Sequence, residues 1–144
     1  MTVPFVIEAL LVARRACRDG AFERARQCRA EMQAAEAART TIEQRLSRTL
    51  ALRADCVTRL ARLARDGADT TPEHVHISEH VAMLGARADD IRIELSRAEH
   101  ALAIARGQAE EAIAFLTRAQ KRLDAAHERK AVWELESTNA ERRA

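Results

Sequence analysis

A chain of 144 residues is long enough for one domain with a fair core, but 3% aromatic residues, no tyrosine, four glycines and two prolines exclude an ordinary compact globule and leave few places where a helix could be broken. Twenty-four Lys+Arg against twenty-two Asp+Glu, net +2, exclude a chain-wide electrostatic case for nucleic acid. The composition predicts an elongated, all-α protein.

In chain order, Thr2 and Pro4 can start the first helix, because a capping hydroxyl and an early proline suit the orphaned N–H positions of a first turn. The opening MTVPFVIEALLVARR is not read as a signal peptide: no positive charge precedes the apolar run, Glu8 interrupts it, and no convincing cleavage site follows. No stretch approaches the ~20 apolar residues that span a bilayer, so a cytoplasmic protein without membrane insertion is expected. From there to Arg65 the only punctuation is Gly20. Apolar residues recur along this arm at Ala25, Cys28, Met32, Ala35, Ile42, Leu46, Leu50, Val57 and Leu60, with Arg39 and Arg53 on or beside the seam. Two consecutive steps of four, Ile42 to Leu46 to Leu50, read as a stutter in a coiled-coil repeat. Arg14, Arg15, Arg18, Arg24, Arg26 and Arg29 form a basic stretch with acids mixed in and no interleaved aromatics, which fits an acidic protein surface better than nucleic acid. Cys17, Cys28 and Cys56 show no C-x-x-C spacing, suit a reducing compartment and read as small buried hydrophobes.

Residues 66–72, DGADTTP, are the one clear break. Gly67 can take the left-handed conformation that ends a helix, and Thr71-Pro72-Glu73 is a second start signal. Just beyond, His76, Glu79 and His80 spell H-x-x-E-H, the inverted zinc-protease signature. Such an enzyme needs a third ligand and a sheltered cavity, which a two-helix scaffold does not supply, so the motif, with neighbouring His74, reads as a polar tip and no metal site. No phosphate loop, nucleophile elbow or cysteine with a plausible base accompanies it, and no catalytic residue or cofactor is expected. Asp89-Asp90 and Glu110-Glu111 read as a wet face.

The second arm carries the strongest pattern. Stepping three and four alternately from Val81 meets Leu84, Ala88, Ile91, Leu95, Ala98, Leu102, Ala105, Ala109, Ala112, Leu116, Ala119, Leu123 and Ala126, all apolar. An unbroken seven-residue repeat of this length calls for a partner helix along the whole seam. Ile93 and Ile104 fall off it, Phe115 flanks it, and Trp133 continues its register where Lys130 and Ser137 show the apolar character fading.

A connection of about six residues makes the two helices antiparallel neighbours. The expected fold is a single antiparallel two-helix coiled-coil hairpin, a thin rod: arm one about 4–65, turn about 66–72, arm two about 73–137, and a charged tail to 144. Residues 1–66 carry net +5 and 67–144 net −3, so the arms attract weakly. Half the second seam is alanine, which brings helix axes close but buries little area, so the hairpin is expected to be marginally stable alone.

In its near-145-residue length, two helical arms, central turn, Arg/Glu/Gln-rich and aromatic-poor character and charged tail TNAERRA, the chain resembles the stalk proteins of bacterial type III secretion systems, the FliJ/YscO group. The resemblance implies an antiparallel coiled coil similar to the two-helix part of a rotary-ATPase shaft. It implies a non-enzymatic coupling protein, peripheral at the inner-membrane export apparatus, whose helix ends enter the hexameric secretion ATPase while other parts contact the export-gate protein; some members also bind secretion chaperones. By geometry, Phe5, Arg14, Arg15, Arg18, Lys130 and Trp133 are assigned to the ATPase, and Leu52, Val57, His76, Ile77, His80 and Leu84, around the hairpin tip, to the gate. A monomer is expected when free. The alternative is a self-assembling coiled-coil scaffold or chaperone-like protein with no ATPase partner.

Overall fold

The computed structural model describes residues 3–144. Two helices account for nearly all of them: α1, Val3–Arg65, and α2, Pro72–Arg143. They pack against each other as an antiparallel hairpin, and no strand occurs among the described residues. Pro4 lies in the first turn of α1 as expected; the capping role assigned to Thr2 falls outside the described residues.

The turn is built from local hydrogen bonds. Gly67 adopts φ +73° within the paired hydrogen bonds of a Schellman stop: Ala68 N–H donates to Leu63 O at 2.8 Å and Gly67 N–H to Ala64 O at 3.2 Å. Arg62 and Arg65 in the last turn face the negative end of the helix dipole. Thr71 then caps α2. Its carbonyl accepts from Val75 N–H at 3.2 Å, and its hydroxyl accepts from His74 N–H at 3.3 Å while donating to Ala68 O at 2.7 Å. Pro72 follows at the first helical position and Glu73 supplies the acid of the first turn. Arg59 of α1 donates to that Glu73 carboxylate at 2.7 Å, tying the two helices just behind the turn.

The chain divides into two compact units. The turn-side unit comprises Gln33–Ile104, and the termini-side unit pairs the chain up to Met32 with Ala105–Ala144. In the turn-side unit Ile77, Leu84, Ala88, Ile91 and Leu102 of α2 are buried, and Ala35, Ile42, Leu46, Leu60 and Leu63 of α1 are half-buried. In the termini-side unit two clusters form: Ala25 and Cys28 with Ala109 and Ala112, joined by Met32 and Leu116, and Leu11 with Leu123 and Ala126, joined by Ile7 and Leu10. All fourteen positions of the repeat read on α2 are buried or half-buried.

The α1 seam differs from the expected one. Thr49, at 8% exposure, takes the core position, while Val57 is 44% exposed and Cys56 beside it is half-buried. The alternation of three and four therefore continues from Leu46 through Thr49, exposed Arg53, Cys56, Leu60 and Leu63, with Leu50 half-buried beside it. Thr49 tolerates burial because its hydroxyl donates to Arg45 O one turn back at 2.9 Å, so no polar group is orphaned. Arg39 keeps its predicted seam place: Nη2 is 3.0 Å from Glu43 and Nε 3.7 Å from Glu99 of α2. The second helix also runs beyond Ser137 to Arg143, because nothing in TNAERRA breaks a helix and Arg142 and Arg143 complement its dipole.

Candidate interaction surfaces

Residues assigned from the sequence to the ATPase all lie in the termini-side unit, in different environments. Phe5 is exposed on the outer side of α1, as is Arg15. Arg14 and Trp133 are half-buried on the seam register. Arg18 reaches across the pair, donating from Nη1 to Gln120 Oε1 at 3.2 Å and from Nε to its neighbour Asp19 at 2.8 Å. Lys130 is already engaged: its ammonium lies 2.6 Å from Glu8 and 3.9 Å from Glu134. The hydrogen bond and then the charge of Lys130 hold the Glu8 carboxyl below the usual carboxylate range against the opposing effect of burial, with a lesser contribution from Arg15. Reciprocally, the hydrogen bond and charge of Glu8, with Glu134, push Lys130 above the usual lysine range.

The set assigned to the hairpin tip divides. Leu52, Val57, His76 and His80 are exposed and open to a partner. Ile77 and Leu84 are not, being 7% and 3% exposed in the core seam. Both sit on the extension of the same repeat, Ile77 one step before Val81, so packing against α1 takes the surface that a partner would need.

His76, Glu79 and His80 are exposed on α2, whereas His74 turns toward the seam. Among the described residues no group of three or more His, Cys, Asp or Glu side chains converges as metal ligands do. Cys17 is exposed, Cys28 buried and Cys56 half-buried, all as free thiols. No helix among the described residues is long and apolar enough to cross a membrane.

The surface that sequence reasoning did not assemble lies along one side of the termini-side unit, where Arg118, Arg122 and Arg129 of α2 come beside Arg14 and Arg24 of α1 in adjoining shallow hollows. The basic stretch of α1 was visible in one dimension. Its α2 counterpart was not, because the pairing register decides which residues meet. The chain matches no family model, no curated protein and no solved structure.

Proposed function

We propose that this chain is a non-enzymatic stalk and coupling protein of a bacterial type III secretion export apparatus, acting at the cytoplasmic side of the inner membrane. In this reading the termini-side unit engages the hexameric secretion ATPase, and exposed residues near the turn, Leu52, Val57, His76 and His80, engage the export-gate protein, with secretion chaperones as further clients. The observation that carries it is the pairing of two uninterrupted helices over an alanine-rich seam, Ala109, Ala112, Ala119 and Ala126 among its buried members, which is the architecture underlying the likeness to the FliJ/YscO group. Alanine contacts let paired helix axes approach to about 8 Å, and a closely paired end of this kind suits a part that must sit inside a ring. The exposed side chains of Phe5 and Arg15, with half-buried Trp133 and Arg14, supply apolar and cationic anchors of the kind that dominate interface energies.

The test is co-purification of the full chain with the type III secretion ATPase of its own organism, against a variant carrying Trp133→Ala, Arg14→Glu and Arg15→Glu. Retention of the wild type and loss of the variant support the reading. A wild-type chain that the ATPase does not retain overturns it.

A second reading, a self-assembling scaffold without an ATPase, is favoured by Phe5 and Val12, which stand one heptad apart on the outer side of α1, both exposed. It requires a stable oligomer in sedimentation, and its loss on Val12→Glu.

A further inference from the structure

We infer that the arginine-lined groove on one side of the termini-side unit docks an acidic amphipathic helix of a partner protein, an assignment that does not depend on the identity of any ATPase. The groove follows the junction of the two helices. Leu10, Arg14, Arg122, Ala125 and Arg129 line one part of it, and Ala13, Cys17 and Ala119 continue it between the same Arg14 and Arg122. About two turns further along, Arg24 shares a hollow with Arg118, Phe115 and Glu111. Five arginines thus line these three hollows with one carboxylate, and Glu128 and Glu136 line the next hollow beyond Arg129.

Among the described residues, none of these five takes part in an ion pair. The other side of the same unit is different: there Lys130 meets Glu8 and Arg18 meets Asp19 and Gln120. One side is compensated internally and the other is not. Positions flanking a coiled-coil seam ordinarily pair opposite charges across it, and like charges there are destabilising. A row of unpaired guanidiniums is therefore a cost to the hairpin alone, which carboxylates from outside would offset. Guanidinium binds carboxylate through two parallel hydrogen bonds, the geometry best suited to this pairing.

The groove's shape selects a helix. Its floor is Ala13, Ala119 and Ala125, small enough for a third helix to approach closely, and Leu10 offers an apolar contact to an occupant with leucines on one face. A nucleic acid would also bring negative charge, but Phe115 is the single aromatic of the groove, with Arg118 over its ring at 5.9 Å, and one ring does not make the row of stacking platforms that a single strand uses.

The experiment uses the full chain and a fluorescent peptide of about three heptads with leucines on one face flanked by glutamates, followed by anisotropy. Its companions are the same peptide with lysine for glutamate and a single-stranded oligonucleotide. The expected result is saturable, salt-sensitive binding of the glutamate peptide, weakened about tenfold or more both by Arg122→Glu with Arg129→Glu and by the milder pair Arg24→Gln with Arg118→Gln. Arg29→Glu, outside the groove, leaves binding unchanged, and far-UV circular dichroism verifies that each variant keeps its helix content. No binding, binding by both groove variants as tight as that of the wild type, tighter binding of the lysine peptide or the oligonucleotide, or self-association of the chain through these arginines each overturns the proposal.

Discussion

Arg39 sits where the seam would take an apolar residue, with Nε buried and without a hydrogen-bond partner, its nearest carboxylate oxygen on Glu99 being 3.7 Å away. A buried donor left unmade costs on the order of 1 kcal/mol or more, and the half-exposed ion pairs to Glu43 and Glu99 return little. Arg39→Leu should therefore raise the midpoint of thermal unfolding by an amount equivalent to about 1 kcal/mol; a fall of that size would mean that the arginine is needed to fix the register. The pair Glu8–Lys130 makes a second residue-scale prediction. Because the folded Glu8 carboxyl lies below its ordinary range, its contribution is present at neutral pH and is lost as pH falls through that lowered value. Because folded Lys130 lies above its ordinary range, its contribution is complete below the ordinary lysine value and is lost as pH rises through the raised one. Glu8→Gln should thus flatten the stability profile at both its acid and alkaline limbs, as read by melts across pH. At this scale the sequence was partly legible. Arg39's place beside acids of the other arm could be read from spacing, while Thr49 could not, because its fitness for the core depends on the bond to Arg45 O.

At the scale of the element, the turn was the most legible feature, since its residues act locally. Gly67 stands at φ +73°, where a side chain is strained, although nothing lies within 4 Å of where a Cβ would sit. Gly67→Ala should accordingly destabilise through backbone strain alone, by about 1 kcal/mol. Thr71→Ala removes the cap of α2 and should cost about the same. Chemical denaturation with unchanged m-values checks both; an effect near zero in either would indicate that the stop or the cap contributes nothing. The long repeat of α2 was read correctly because each seam residue from Val81 to Ala126 is apolar and evenly stepped. The α1 register was misread between Leu46 and Val57, where an apolar Leu50 drew attention from Thr49. The end of α2 was missed for a different reason: loss of apolar character after Trp133 looks the same whether the helix stops or continues in water.

For the whole molecule, one topological statement matters most: the chain doubles back on itself and satisfies its seam within one polypeptide. The arginine groove depends on this, because Arg14 and Arg24 meet Arg118, Arg122 and Arg129 only in that pairing. The stalk reading depends on it as well, since a chain that used a second copy to cover its seam would be a different machine. Sequence alone supplied the mid-chain turn and both arms. It did not assemble the groove, whose members are separated by about a hundred positions and become neighbours only through the seam register. The direct test exploits Cys28, which packs with Ala109 and Ala112. In a chain carrying Cys17→Ser, Cys56→Ser and Ala112→Cys, mild oxidation should join Cys28 to the new thiol within one polypeptide, giving a species of single-chain mass whose mobility shift disappears on reduction. A disulfide-linked dimer as the main product, or no disulfide at all, would contradict the account.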